Sequence, residues 1–205
     1  MALIMKKHHN YLAIFEKTEK NSLYHPMMDV LTSSKYKAIL TADAPIYQET
    51  LRDFWANTNI EEQNNVAFSI TSKVGGESVA ITPTTISTTF GVNDLVGKTS
   101  FPKNEIQTEL TERGYDGQLN KATMFKANFP PPMKFLFHTL LICLSNKTTS
   151  FNEIPLKIQS LGYAFLTNTD FNYSQALFAD LVANLKNIKK GKTAAFFMFP
   201  ILLSY

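Results

Sequence analysis

Cysteine is nearly missing from this chain, and its one thiol, Cys143, excludes an internal disulfide and any cysteine-rich metal site. A strong charge of either sign is missing too. The 20 lysines and arginines against 17 aspartates and glutamates leave a formal net charge of +3, well short of the concentrated positive field of a dedicated nucleic-acid binder. Long apolar runs are also wanting. The one membrane suspect, residues 194–203, is only about half of the ~20 residues that a spanning helix needs, so it is expected to be a buried core helix. No polar cap follows Leu203, and the chain is expected to be cut there from a longer one. At the other end Met1-Ala2-Leu3-Ile4-Met5 precedes Lys6 and Lys7, the wrong order for a secretory leader. Together these absences predict an intracellular protein, cytoplasmic or nuclear, with no membrane partner.

Catalytic patterns are just as scarce. His8, His9, His25 and His138 have no partner at zinc-ligand spacing. His138 and Cys143 sit five positions apart, which on one helix is about 140°, so they are expected to be a hydrogen-bonded core histidine and a buried thiol rather than a catalytic pair. No Walker loop, dinucleotide fingerprint or nucleophile elbow occurs, and neither a metal nor a cofactor is expected. The aspartates Asp29, Asp43, Asp53, Asp94, Asp116, Asp170 and Asp180 are scattered; a metal-dependent nuclease built on three of them is the least favoured reading.

What the chain does have is 205 residues that are 44% hydrophobic, enough for one sizeable core. Residues 1–23 read as a partly ordered arm, and 24–205 as a single domain. Met27, Met28, Val30 and Leu31 are spaced for a short helix that ends near Ser33 and Ser34. Thr41 or Asp43 can cap the next helix, which runs from Pro45 to Trp55 and sets Ile46, Leu51, Phe54 and Trp55 on one face. Residues 66–70 and 78–81 alternate at period two around Gly75-Gly76, predicting a β-hairpin. Thr82 and Pro83 then open a helix that Gly91 closes, with Ile86 and Phe90 facing the core.

Pro102 or Asn104 opens a further helix that ends at Gly114. After the triple proline 130–132, the segment from Met133 to Leu144 is apolar all round and is expected to be central. Helices over roughly 151–166 and 172–188 complete the series. The fold class is therefore mainly α, a single helical domain of about seven helices with one small β-hairpin. Lys186, Lys189, Lys190 and Lys192 form the densest basic patch. They can touch phosphate, although lysines at a helix end also complement its negative pole.

Two blocks of this sequence are distinctive as strings. The first is Phe54-Trp55-Ala56-Asn57, the hairpin around Gly75-Gly76, and Ile81-Thr82-Pro83 through to Phe90-Gly91-Val92. The second is Phe125-Lys126-Ala127-Asn128-Phe129-Pro130-Pro131-Pro132, then Lys134-Phe135-Leu136-Phe137-His138-Thr139-Leu140, and Phe171-Asn172-Tyr173-Ser174 onward to Leu185. Together they resemble the plant transposon protein domain found in plant retrotransposon polyproteins, over nearly the whole chain. The resemblance implies a mobile-element origin. It does not bring the polyprotein's enzymes with it, because the polymerase Tyr-x-Asp-Asp, the His-His-Cys-Cys integrase module and the protease Asp-Ser/Thr-Gly loop are lacking. The expected function is a non-enzymatic interaction or assembly module that self-associates or meets other polyprotein segments. The alternative is an accessory nucleic-acid binder using the patch 186–192.

Overall fold

The computed structural model describes residues 13, 15–41, 48–117, 124–144 and 152–189. Among them are eight α-helices, a three-stranded antiparallel sheet and a two-stranded one, so the mainly α expectation holds with a larger β component. The expected cap at Asp43, the helix start at Pro45 with Ile46, and the run 194–203 lie outside the described residues.

A 3-10 turn, Glu19–Tyr24, leads into α1 (His25–Ser33), where Met28 and Leu31 are buried. A short helix, α2 (Lys37–Thr41), then buries Ile39 and Leu40, so Thr41 ends a helix where a cap for the next one was expected. In α3 (Gln48–Asn57) Phe54 is fully buried and Trp55 stands edge-on to it, with ring centroids 5.3 Å apart.

The sheet has one strand more than the hairpin predicted. β1 (Asn59–Gln63) pairs with β2 (Val66–Val74), which pairs with β3 (Glu77–Ile81). β1 was illegible by periodicity because Asn59-Ile60-Glu61-Glu62-Gln63 carries one apolar residue. Its signal was the turn, Asn64 and Asn65 at φ 52° and 63°, the left-handed pair that a tight two-residue hairpin demands. Gly75 and Gly76, at φ 57° and 88°, make the predicted second turn.

α4 (Pro83–Phe90) starts as its sequence says. Thr82 Oγ1 accepts the Thr85 N–H at 3.1 Å, while the Thr82 N–H donates to Thr85 Oγ1 at 2.8 Å. This reciprocal pair uses threonine where glutamate is usual. α5 (Lys103–Glu112) buries Ile106 and Leu110. Strand β4 (Met124–Phe125) pairs with β5 (Glu153–Ile154).

The centre is α6 (Pro131–Leu144), with Leu136, Phe137 and Leu140 fully buried. Its prolines occupy the first turn, where no N–H partner is needed. α7 (Leu156–Thr167) begins five residues later than the apolar spacing predicted. Pro155 is the physical reason: it drives Ile154 into extended backbone, which β5 uses. α8 (Tyr173–Lys189) closes the described chain, packed on α4.

Candidate functional site

The densest set of buried polar contacts lies where the chain leaves α4 and where it enters α8. Gly91, at φ 62°, ends α4, and the Val92 N–H returns to the Ser87 carbonyl at 3.1 Å. Val92 is buried and Asn93 turns left-handed, which drives Asp94 inward to complete burial. The Asp94 carboxylate accepts the Ser174 N–H at 2.8 Å and the Ser174 hydroxyl at 2.7 Å. It thus places a negative charge on the first turn of α8, where free N–H groups and the helix dipole favour one. Asn172 caps the same turn, its Oδ1 accepting from the Gln175 N–H at 2.8 Å.

Asn172 also binds the two segments together, since its Nδ2 donates to the Leu95 carbonyl at 3.0 Å. The Lys98 N–H donates to the Asp170 carbonyl at 3.2 Å, and the Asn172 N–H donates to the Lys98 carbonyl at 2.8 Å. This approach needs glycine at 97, where a Cβ would lie 2.6 Å from the Phe171 carbonyl carbon. A third segment joins from below. The buried Tyr36 hydroxyl donates to the Phe171 carbonyl and accepts the Phe171 N–H at 3.2 Å, while Lys35 pairs with Asp170 at 2.5 Å.

From this clasp a single β-turn projects, closed by the Gly97 N–H on the Asp94 carbonyl at 3.0 Å. Its central residues are Leu95, 42% exposed, and Val96, 90% exposed. Bulky apolar side chains are out of place there, because turn centres favour residues that hydrogen-bond locally or relax the backbone. The sequence reading passed over this feature, although Asp94-Leu95-Val96-Gly97 has the aspartate-first, glycine-fourth order of a common turn.

Among the described residues the aspartates do not converge. Asp29 pairs with Lys17, Asp170 with Lys35 and Asp180 with Lys157, while Asp94 serves α8. No group of three or more metal-ligating side chains forms among the described residues. The basic patch is visible only at Lys186, which pairs with Glu62 of β1 at 2.5 Å. Lys190 and Lys192 lie outside the described residues, as does the side chain of Lys189. Phe54, Trp55, Gly75, Gly76, Thr82, Pro83, Phe90 and Gly91 occupy the core, turn and capping positions given above. Among the described residues no helix is long and apolar enough to cross a membrane.

The structure does bring His138 to Lys126, with Nδ1 and Nζ 3.1 Å apart. The ammonium donates to a neutral imidazole. Partial burial, then the Lys126 charge, holds His138 below its usual 6.5. The unfolded chain therefore takes this proton first as pH falls, so the associated stability is present above 6.5 and is lost below it. In urea unfolding, the wild type is expected to lose more stability than His138→Gln on acidification from neutral pH to about pH 5. Parallel losses would show that the histidine is uncoupled from folding.

Cys143 offers no nucleophile, because burial pushes its thiol up to about 12. Near it lies a small apolar recess of about 20 Å³, lined by Leu144, Ile158, Leu161, Phe171, Tyr173 and Leu177 among others. The Tyr173 hydroxyl in that wall is made a weaker acid by burial and then by Asp180 and Asp94. No family model matches this chain, and neither a curated protein nor a solved structure does.

Proposed function

We propose that this chain is a non-enzymatic assembly module of plant mobile-element type, and that it self-associates through the turn bearing Leu95 and Val96. The mobile-element origin rests on the two sequence blocks alone. The interaction role is carried by one observation: adjacent apolar residues sit at the exposed centre of a turn whose base is buried and bonded on three sides. Such a turn breaks a local rule at a position that the surrounding fold holds firmly, the pattern that marks function more often than packing. It is also ordered before any partner arrives, which removes most of the conformational cost of association.

Size-exclusion chromatography with light scattering tests this reading. The wild type is expected to shift from monomer to dimer or larger as its concentration rises. Val96→Asp and Leu95→Asp should stay monomeric at concentrations where the wild type is half associated, weakening assembly by roughly tenfold or more, as 1.4 kcal/mol per lost apolar contact would give. Both side chains face solvent, so thermal stability is expected to stay within about 0.5 kcal/mol of the wild type. A monomer at every concentration, indifferent to added RNA, would overturn the assembly role.

A further inference from the structure

Two basic side chains are held against each other where the 3-10 turn Lys126–Asn128 meets α6. Lys126 has little freedom at its backbone. Its N–H donates to the Asn152 carbonyl at 2.7 Å, its carbonyl accepts the Phe129 N–H at 3.3 Å, and the preceding Phe125 N–H donates to the Tyr115 hydroxyl at 3.2 Å. His138 is fixed as firmly, since it projects from the central helix between the fully buried Phe137 and Leu140. Lys134 stands one turn before it on the same side of α6, with Cβ atoms about 6 Å apart. Among the described residues Lys134 takes part in no ion pair.

An ammonium 3.1 Å from an imidazole opposes the histidine's charged form. The surroundings do little to relieve this. Glu19, Lys20, His25, Asp29, Lys37 and Lys157 lie on elements packed against α6, yet burial and the charge of Lys126 are what hold the imidazole neutral. Asp116 and Glu153, on the segments bonded to the turn and to β4, exert no pull on it either. A ligand with two negative charges reverses the balance. It accepts one hydrogen bond from the Lys126 ammonium and one from a protonated His138, and the two cations match its charge. A phosphodiester, with a single negative charge, would leave one cation uncompensated. We propose that Lys126 and His138, with Lys134 at the rim, bind a dianionic phosphate group, and that His138 takes up a proton from solvent as the group binds. This site is separate from the turn assigned to self-association.

The His138 ring proton, recognised in NMR spectra of the full chain as the signal lost in His138→Gln, reads the site directly. With saturating inorganic phosphate its titration midpoint is expected to rise by about one pH unit, a tenfold change in protonation, relative to sodium chloride at the same ionic strength. Sulfate, a dianion whose charge is constant over this range, should do the same. Glycerol 2-phosphate in a further arm distinguishes the sources: the same shift at lower concentration assigns an esterified phosphate, and at higher concentration the free ion. Lys126→Gln should start from a higher midpoint, because the repulsion is gone, and should lose most of the phosphate shift, while Lys134→Gln should weaken phosphate several-fold and keep the shift. The wild-type comparison with sodium chloride decides by itself if either variant loses its circular dichroism. Two results would overturn the inference. One is a His138 midpoint that moves no more in phosphate than in sodium chloride, or no more than that of His25, which would reduce the effect to screening. The other is a larger response to single-stranded RNA than to phosphate, which would assign the pair to a diester backbone.

Discussion

Replacing Asp94 with alanine is expected to lower unfolding free energy by about 2–4 kcal/mol, since it removes two charge-assisted hydrogen bonds and leaves the buried Ser174 N–H and hydroxyl unpaired. The loss should have a local signature. Amide exchange at 93–98 and at the first turn of α8 should rise before the core around α6 responds, because the carboxylate holds the α4 exit against the α8 entrance. Asp94→Asn keeps the size but not the charge and should fall between the two. A stability within experimental error of the wild type would remove Asp94 from its place as the fastening of the clasp. The same variant should blunt self-association, because Leu95 and Val96 would no longer be held in a single conformation.

The second large effect concerns the contact of α6 with α7. Gly162 faces the Phe137 ring so closely that an added Cβ would overlap it. Phe137→Ala is expected to cost about 3–5 kcal/mol, as other buried aromatic deletions do. Gly162→Ala should cost about 1–3 kcal/mol through overpacking. The two sites are one fit, however, so their effects should not add. In a Phe137→Leu background the methyl of Gly162→Ala enters space that the ring has vacated, and its cost should fall by more than the roughly 0.5 kcal/mol tolerance of additivity. A double-mutant cycle in urea measures this directly; simple addition would mean that α7 shifts away from α6 instead of pressing on Phe137.

Much of the fold was legible because local rules act within a few residues. Thr82-Pro83 and Gly91 bracket α4, Gly75-Gly76 turn the hairpin, and three prolines launch α6, each through backbone geometry that the residue itself imposes. α7 was placed too early because apolar spacing was weighed above Pro155, and β1 was missed because an acidic edge strand has no apolar alternation. α2 escaped for a different reason: five residues give too short a window for a helical period. The clasp was out of reach. Asp94 looked like one of several scattered carboxylates until residue 174, far along the chain, proved to be its partner, and no spacing rule connects such positions. Leu95 and Val96 read as ordinary apolar residues, since exposure is decided by what the rest of the chain leaves uncovered.

The clasp also says something about time. Its bonds join positions 80 and 135 residues apart, Asp94 to Ser174 and Tyr36 to Phe171. Closing loops of that length takes conformational entropy that local contacts must already have offset, so helices such as α4 and α6 form and collapse first, and the clasp shuts on them afterwards. The stability lost in the Asp94 variant should then emerge as faster unfolding with an almost unchanged folding rate. During synthesis from the N-terminus, Tyr36, Asp94 and the Leu95-Val96 turn all emerge before the residues that lock them. The surface assigned to assembly is thus completed only once α8 has been made, and a nascent chain reaches its partner-ready shape at the end of folding.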